Sequence, residues 1–298
     1  MAQSIAKATV EDKEFLDKLK KLCRNLDKKS IECVYRIISR LRRSYIHKTD
    51  FCDNLNTEEI LELERLKNEF YANIYEISDD IYFYDGYFLP INHFEVSVFW
   101  HKHHLNAFKT FHKIKQKDVI DVGGFVGDSA LIFEKYTEKN IYSFEATKSN
   151  FDLMLKSLKL NDSKRIIPIN KGLGSSQTTM KISLQGAASS VIYNSSDKYE
   201  EIEIITLDSF VEKHNIEVGL IKVDIEGFEM EFLKGAKTTI EKQKPAMIIS
   251  IYHQASDFFD IKPLIESWNL GYTFQIIKPF DNYSHVSVET ALYCEVLD

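Results

Sequence analysis

The segment from Lys117 to Gly127, KDVIDVGGFVG, constrains the fold of this chain more than any other stretch. A short apolar run ends at Asp121 and is followed at once by clustered glycines and a helical pattern. This order predicts a strand, a tight turn and a helix. Gly123, Gly124 and Gly127 permit backbone conformations that other residues avoid, and they allow a close approach to a ligand. We therefore expect a ligand-binding turn at this place.

The turn does not suit a dinucleotide. The fingerprint of nicotinamide and flavin dinucleotide sites is G-x-G-x-x-G, and Phe125 stands where its second glycine belongs. Asp121 and Asp128 would place two carboxylates near a pyrophosphate, which like-charge repulsion disfavours. S-adenosylmethionine carries an ammonium and a sulfonium, and the spacing Asp121-x-Gly123-x-x-x-Gly127 resembles the first motif of class I methyltransferases. The pattern favours this cationic cofactor, with a turn that binds no cofactor as the alternative.

Composition indicates an ordinary soluble protein. Of the 298 residues, 44% are hydrophobic and 28% are charged, as in globular domains. No apolar run approaches the roughly 20 residues of a membrane span, and the first residues lack the apolar core of a signal peptide. The four cysteines show no C-x-x-C spacing, so neither a zinc knuckle nor a disulfide framework is expected. We expect a cytoplasmic protein.

Charge is unevenly distributed. The chain carries a net charge of -7, but residues 1–50 contain 13 Lys and Arg against 7 Asp and Glu. Nucleic-acid binding by the whole chain is not expected. The basic N-terminal arm predicts either a solvated helix face or a contact with an anionic membrane surface or a phosphorylated carrier. Its arginines include Arg36, Arg40, Arg42 and Arg43.

We divide the chain into an N-terminal helical region, residues 1–110, and a catalytic domain, residues 111–298. Helical spacing predicts two amphipathic helices over residues 10–45 and a third that begins at about Thr57 as its N-cap. Their apolar faces would contact the catalytic domain, one another, or a second copy in a homodimer. Asp85-Gly86 predicts a hairpin within an aromatic segment, which is a candidate lid.

From Lys117 onward, strands alternate with helices, which predicts a doubly wound α/β sheet. Strands are predicted at 118–122, 140–145, 165–169, 219–224, 246–252, 272–277 and 290–296. Helices are predicted at 127–138, 148–160, 206–214, 227–243 and 258–268. The last two strands would form a closing hairpin, and residues 173–205 would add extra β structure around a Ser- and Gly-containing loop.

Polar side chains at the carboxyl ends of these strands are the candidate site residues. Glu145 follows the second strand, where an acid can accept both hydroxyls of a ribose. Alternation along GLIKVDIEG places Lys222, Asp224 and Glu226 on one side of the chain. His253 follows the fifth strand and is the candidate general base. By contrast, His101, His103 and His104 are expected to be packing or surface residues, and no metal site is predicted.

Four segments make the chain resemble the FkbM family of S-adenosylmethionine-dependent O-methyltransferases from about Asp118 to Glu295. They are DVGGFVGDSA, SFEATKSNF, ITLDSF and LIKVDIEGFEMEFLKGA, the last followed by Pro245. The resemblance implies a class I, Rossmann-like sheet of seven strands. It also implies methyl transfer to a hydroxyl of a sugar, a glycolipid or a secondary metabolite, as in polysaccharide biosynthesis.

The resemblance also implies roles for residues. Asp121, Gly123, Gly127 and Glu145 would bind the cofactor, and Asp224 and Glu226 would lie beside the transferred methyl group. Gly124 and Asp128 complete the cofactor-binding set that we predict, and Asp224 belongs to it as well. The chain departs from many relatives at Ser250, where they carry a glutamate; Tyr252 and His253 stand nearby instead.

In the mechanism that we expect, His253, oriented by Asp224 or Glu226, takes the proton of the acceptor hydroxyl. A metal-assisted version with these three residues as ligands is the alternative. Two other functions stay open. One is methylation of RNA or protein, although no N-P-P-Y type motif is present. The other is a non-catalytic module that binds the cofactor as a scaffold or sensor.

Overall fold

The computed structural model describes residues 2–48, 55–183, 199–282 and 286–297. The chain divides into two compact units, each described by itself below. The central unit is Ile74–Ile248, and the terminal unit combines Met1–Asn73 with Ile249–Asp298. These bounds differ from the two predicted domains, because the last fifty residues group with the N-terminal helices.

The main sheet has seven mostly parallel strands, which confirms the predicted fold class. Its strands, in chain order, are β4 (Asp118–Val122), β5 (Ile141–Phe144), β6 (Ile166–Ile169), β10 (Val218–Val223), β11 (Ala246–Ser250), β12 (Tyr272–Ile277) and β13 (Ala291–Val296). Their spatial order is β12-β13-β11-β10-β4-β5-β6. β12 and β13 pair antiparallel, as the predicted closing hairpin requires.

The core of the central unit lies on both faces of β4 and β10. Every residue of β10 is buried, and so are four of the five residues of β4. This burial explains why the two segments read as continuous apolar runs, since a parallel strand is covered on both faces. The α-helices of this unit are α5 (Phe111–Lys115), α6 (Asp128–Phe133), α7 (Lys148–Leu160), α8 (Leu207–His214), α9 (Glu229–Gly235) and α10 (Lys237–Gln243). A π-helix, Val96–Trp100, and a 3-10 helix, Lys102–Ala107, precede them.

The single helix predicted over 227–243 is two helices in the structure, α9 and α10. The break follows Gly235, where a Cβ atom would lie 1.9 Å from the carbonyl oxygen of Gly174. This close approach of two backbones explains the glycine and is a tertiary contact that helical spacing does not reveal.

Two small sheets complete the central unit. In the first, β1 (Tyr75–Ser78), β2 (Ile81–Tyr84) and β3 (Tyr87–Leu89) form antiparallel pairs, and Asp85-Gly86 makes the predicted turn between β2 and β3. The second contains β7 (Gly172–Leu173), β8 (Thr178–Ser183) and β9 (Tyr199–Ile205). This sheet confirms the extra β structure predicted for 173–205; the predicted loop within it lies outside the described residues.

The terminal unit begins with three helices, of which the second and third are the two predicted over residues 10–45 and the first was not predicted. They are α1 (Ala2–Glu11), α2 (Phe15–Cys23) and α3 (Lys28–His47). The Asp12 carboxylate accepts the Glu14 N–H at 2.8 Å, and such a local bond competes with helical bonding between α1 and α2. α1 was not predicted because only one of its three buried residues has a large apolar side chain, which leaves no apolar pattern; these residues are Ile5, Ala6 and Thr9.

The next helix, α4 (Thr57–Arg65), is capped by Asn56 and not by Thr57 as predicted. The Asn56 side chain accepts the Glu59 N–H at 2.8 Å, and the Glu59 carboxylate accepts the Asn56 N–H at 2.9 Å. The same carboxylate forms ion pairs with Arg36 and Arg40. Part of the positive charge of the N-terminal arm is thus balanced inside the unit.

The C-terminal part of the terminal unit contains α11 (Ala255–Ser267) with β12 and β13. The Ile276 N–H of β12 donates to the Ser30 hydroxyl at 2.9 Å, which attaches α3 to this strand. Lys262 of α11 is buried and donates to the carbonyl oxygen of Arg24. These contacts explain why the two ends of the chain share one unit. No helix in the described ranges is both long and apolar enough to span a bilayer.

Candidate active site

The candidate site lies where the strand order of the sheet changes direction. From β4 the chain continues to β5 and β6 on one side, whereas β10 pairs with β4 on the other side. In open α/β sheets, ligands bind at such a switch point, beyond the carboxyl ends of the strands. The predicted turn from Gly123 to Gly127 begins there, between β4 and α6.

Glycine is required in this turn by the protein's own packing. Gly123 has φ of 81°, and a Cβ atom on it would lie 1.8 Å from the carbonyl oxygen of Asp224. A Cβ atom on Gly124 would lie 2.3 Å from the Ser143 hydroxyl. Both residues also donate their N–H groups to the carbonyl oxygen of Phe144, at 3.0 and 2.8 Å. The turn therefore packs closely against the ends of β5 and β10.

Asp121, at the end of β4, is buried beneath this turn. Its side chain has no exposed surface; it accepts a hydrogen bond from the Ser143 hydroxyl at 2.7 Å and lies 3.6 Å from the Lys222 ammonium. Lys222 also donates to the carbonyl oxygen of Gly123 at 3.0 Å. The Asp121–Lys222 pair thus supports the turn from the buried side. The cofactor contact of Asp121 stays a prediction.

Charge and burial have opposite effects on the pKa values of Asp121 and Lys222. Burial raises the pKa of Asp121, against the effect of the Lys222 charge. For Lys222, burial alone would favour the neutral amine, but Asp121, Asp224 and Asp128 outweigh it and raise the pKa of the ammonium. Lys222 therefore stays protonated and compensates several carboxylates around the turn.

Glu145, which follows β5, lies at the same turn, and its contact with a ribose stays a prediction. One carboxylate oxygen accepts the Thr147 N–H at 2.8 Å and its hydroxyl at 2.7 Å, and the other accepts the Phe125 N–H at 3.0 Å. Burial raises the pKa of Glu145, and these hydrogen bonds oppose that rise. The carboxylate is held rigidly at the carboxyl edge of the sheet, beside the turn.

Asp224 lies at the switch point, but the predicted alternation through Glu226 is wrong. β10 ends at Val223, and Glu226 adopts φ of 57° in a turn that follows the strand. The Glu229 carboxylate accepts the Ile225 N–H at 2.9 Å and closes this turn. Strand periodicity stops where the turn begins, so Lys222 and Glu226 do not share a strand face. The Asp224 N–H donates to the carbonyl oxygen of Val122, at the end of β4.

His253, the predicted base, belongs to the terminal unit and has no exposed surface. Its ring packs against the ring of Tyr252 with centroids 4.1 Å apart. Ser250, the last residue of β11, is also buried. The proton-accepting role of His253 and its orientation by an acid stay predictions.

The three neighbouring histidines differ in their surroundings. His103 is buried, its Nε2 atom lies 3.0 Å from the Ser129 hydroxyl, and its ring stacks on Phe133. Burial lowers the pKa of His103 to about 3, so its ring is neutral at neutral pH. The rings of His101 and His104 stack on each other with centroids 4.6 Å apart. These packing contacts agree with the structural interpretation of the segment.

A further group of side chains was not predicted. His93, Glu95 and Asp128 offer ligand atoms that all lie within 4.8 Å of one another. Asp128 begins α6, and the rings of His93 and Phe125, which belongs to the turn, pack edge to face. Burial and the neighbouring Glu95 raise the pKa of Asp128 to about 7. The sequence singled out Asp128 alone, because the other two residues have no motif or periodicity.

Comparisons with known proteins concern the family and the fold. The family model described as "Methyltransferase FkbM domain" matches residues 121–274, about half of the chain. The chain is 28% identical over 160 residues to a Haloferax volcanii protein named hexuronic acid methyltransferase AglP, and the match covers 53% of this chain and 65% of the relative. It is 22% identical over 187 residues to Methyltransferase 1 of Beauveria bassiana, covering 54% of this chain and 74% of the relative.

Among solved structures, the fold is similar to the crystal structure titled methyltransferase FkbM from Methylobacillus flagellatus KT. The TM-score is 0.56 at 18% sequence identity, and the match covers 94% of this chain and 58% of the other. The chain thus spans less than two thirds of the length of the haloarchaeal relative and of this crystal structure. At this identity the likeness establishes the fold.

Proposed function

Because this chain belongs to the FkbM family of methyltransferases, we propose that it transfers the methyl group of S-adenosylmethionine to a hydroxyl of a sugar, a glycan precursor or a secondary metabolite. The observation that carries the proposal is the position of Glu145. Its carboxylate lies at the carboxyl end of β5 and accepts a hydrogen bond from the turn between β4 and α6. Because ligands of open α/β sheets bind at a switch point, we expect the nucleoside of the cofactor beside this carboxylate.

The residues around the turn fit a cationic cofactor. Lys222 is one positive charge among the carboxylates of Asp121, Glu145 and Asp224. Such a surplus of negative charge favours an ammonium and a sulfonium over a pyrophosphate. The cofactor supplies an activated methyl group on a sulfonium.

The protein's own contribution is mainly alignment. Glu145 would hold the ribose hydroxyls, and Asp224 would hold the ammonium group at the opposite end of the crevice. The buried Asp121–Lys222 pair keeps the turn in one conformation. Alignment of an acceptor oxygen with the methyl group is worth up to about 7 to 11 kcal/mol in favourable cases.

Two observations bear on the acceptor. The net charge of -7 disfavours an RNA substrate. The name of the haloarchaeal relative gives a hexuronic acid as its acceptor, which supports a sugar acid as the first acceptor to try.

Calorimetric titration with S-adenosylmethionine tests the proposal. We expect one-site binding by the wild type and at least tenfold weaker binding by Glu145→Ala, because hydrogen bonds to a charged group are worth about 1.5 to 3 kcal/mol. The matched control, Glu76→Ala on the exposed strand β1, should bind as the wild type does. Asp121→Asn is a better probe than an alanine there, since it keeps an acceptor for Ser143.

Turnover then identifies the acceptor class. Formation of S-adenosylhomocysteine is measured with hexuronic acid glycans, matched neutral glycans, RNA and protein acceptors. Turnover with a glycan supports the proposal, whereas turnover with RNA or protein alone would replace it with the alternative enzyme class. A folded wild type that does not bind S-adenosylmethionine would refute the cofactor assignment.

The role of His253 has its own test. As general base, it would contribute about 10²- to 10⁴-fold to the rate. We expect His253→Gln to reduce kcat by that factor while S-adenosylmethionine binding is retained. Full turnover by this variant would show that another group takes the proton.

A further inference from the structure

His93, Glu95 and Asp128 form a compact group of one imidazole and two carboxylates next to the turn. Their ligand atoms lie within 4.8 Å of one another, and the His93 Nε2 atom is 3.0 Å from a Glu95 oxygen. Two ligands of one ion lie at most about 4.4 Å apart, because metal–ligand distances are about 2.0 to 2.2 Å for nitrogen and oxygen ligands, so small side-chain rotations would bring all three groups onto one ion.

Asp128 distinguishes this group from an ordinary surface ion pair. The residue is only 5% exposed, and one of its carboxylate oxygens accepts the Ser129 N–H at 2.7 Å. A buried carboxylate that also faces the charge of Glu95 is costly unless a positive charge compensates it.

The nearby lysine compensates this group only in part. Lys222 attracts Asp128 and Glu95, but its ammonium donates to the carbonyl oxygen of Gly123 and lies 3.6 Å from Asp121. It is therefore engaged beneath the turn. A cation held directly by the two carboxylates and the imidazole would balance them much more strongly.

We propose that His93, Glu95 and Asp128 form a three-ligand site for a divalent transition-metal ion such as Mn²⁺ or Zn²⁺. A nitrogen ligand favours these ions over Mg²⁺ and Ca²⁺, which prefer oxygen ligands. His93 and Glu95 are 27% and 39% exposed in their side chains, so the ion and a further ligand can enter from solvent. Three protein ligands leave coordination positions open, as in catalytic metal sites.

The location suggests a use for the open positions. Asp128 directly follows the turn. The centroid of the His93 ring lies 4.8 Å from the centroid of the Phe125 ring, which belongs to the turn. A bound ion there would coordinate an oxygen of the acceptor, either the reacting hydroxyl or the carboxylate of a sugar acid, and would lower the pKa of that hydroxyl. This use rests on the proposed function, whereas metal binding itself does not.

Metal binding is tested on the full chain, without an affinity tag and after treatment with a chelator. Mn²⁺ binding is measured by the loss of the free-ion electron paramagnetic resonance signal, and Zn²⁺ and Mg²⁺ binding by calorimetry. We expect one saturable Mn²⁺ or Zn²⁺ site in the wild type. His93→Gln and Glu95→Gln should each weaken it at least tenfold, and Mg²⁺ should bind more weakly than either.

Matched controls remove a similar group elsewhere in the central unit. His112→Gln on α5 and Glu76→Gln on β1 both change exposed side chains, and both should bind the metal as the wild type does. Asp128→Asn is a third test if circular dichroism shows that it folds; otherwise the two partly exposed ligands decide the result.

Two results would overturn the site. One is the absence of saturable Mn²⁺ or Zn²⁺ binding by the wild type at millimolar concentrations. The other is unchanged affinity in both His93→Gln and Glu95→Gln, which would place any bound ion elsewhere. Because the readout is metal binding, failure of the site is distinguishable from failure of the wild type to bind S-adenosylmethionine.

Discussion

Replacing Lys222 with methionine removes the positive charge beneath the turn while keeping most of the side-chain volume. In the wild type, the ammonium lies 3.6 Å from the Asp121 carboxylate and donates to the carbonyl oxygen of Gly123. The variant leaves Asp121 buried without its counter-charge. We expect a large loss of stability and a turn that no longer holds one conformation.

The size of the effect follows from the geometry. At 3.6 Å and an effective dielectric constant of about 20, the attraction is about 4 to 5 kcal/mol before desolvation is counted. Removal of one partner from a buried pair typically costs about 3 to 5 kcal/mol. Asp121→Asn should cost less, about 1 to 3 kcal/mol, because Lys222 still interacts with other carboxylates and still donates to the Gly123 carbonyl oxygen.

Urea unfolding of the wild type, the two single variants and the double variant measures these costs. We expect the double variant to be at least about 1 kcal/mol more stable than the sum of the single losses predicts, since no unpaired charge is left. Lys181→Met, an exposed lysine of β8, is the matched control and should change stability by less than about 0.5 kcal/mol.

Additive losses in the double variant would refute this reasoning, because the two charges would then act independently. So would a Lys222→Met variant as stable as the control. In either case, the turn would be held by its backbone contacts, and its charge balance would have to be sought elsewhere.

Two further predictions concern the same unit. Burial lowers the pKa of His103 to about 3, below 6.5 in the unfolded chain, so the unfolded chain binds the proton first and stability is lost as pH falls from about 6.5 towards 3. Other titrating groups, such as Asp128, contribute alike to all three proteins, so the slopes of stability against pH are compared by urea unfolding between pH 6 and 4. Stability should fall with decreasing pH more steeply, by about 1.4 kcal/mol per pH unit, in the wild type and in His112→Gln than in His103→Gln; equal slopes in all three would contradict the linkage. Gly123→Ala places a Cβ atom 1.8 Å from the Asp224 carbonyl oxygen, so we expect a loss above about 4 kcal/mol. Gly86→Ala has a similar φ but no atom within 4 Å and should lose only about 1 to 2 kcal/mol, and equal losses in thermal unfolding would exclude the steric explanation.

Local patterns predicted the strands of the main sheet and their alternation with helices. The turn after β4, the hairpin at Asp85-Gly86 and the parallel strands all have short-range signals, since strand burial and turn chemistry are properties of neighbouring residues. Element ends were less predictable. The N-cap of α4 is Asn56, whereas Thr57 was predicted. The predicted helix over 227–243 breaks beside Gly235.

Interactions across long stretches of sequence were not predictable. The Asp121–Lys222 pair depends on β4 and β10 lying side by side, and the group of His93, Glu95 and Asp128 depends on how the chain returns to the start of α6. Side-chain alternation fails at Glu226 because a turn replaces the strand there. These positions follow from strand order and packing.

The sequence by itself determined the kind of protein: a seven-stranded α/β sheet, a glycine turn with acidic neighbours, and motifs of the FkbM family. Those features are local, because backbone propensity, periodicity and glycine spacing act within about ten residues. Only the tertiary structure decided which charges meet. It paired Asp121 with Lys222, fixed Glu145 on the turn and brought His93 and Glu95 to Asp128, because burial and Coulomb energies depend on distances in space.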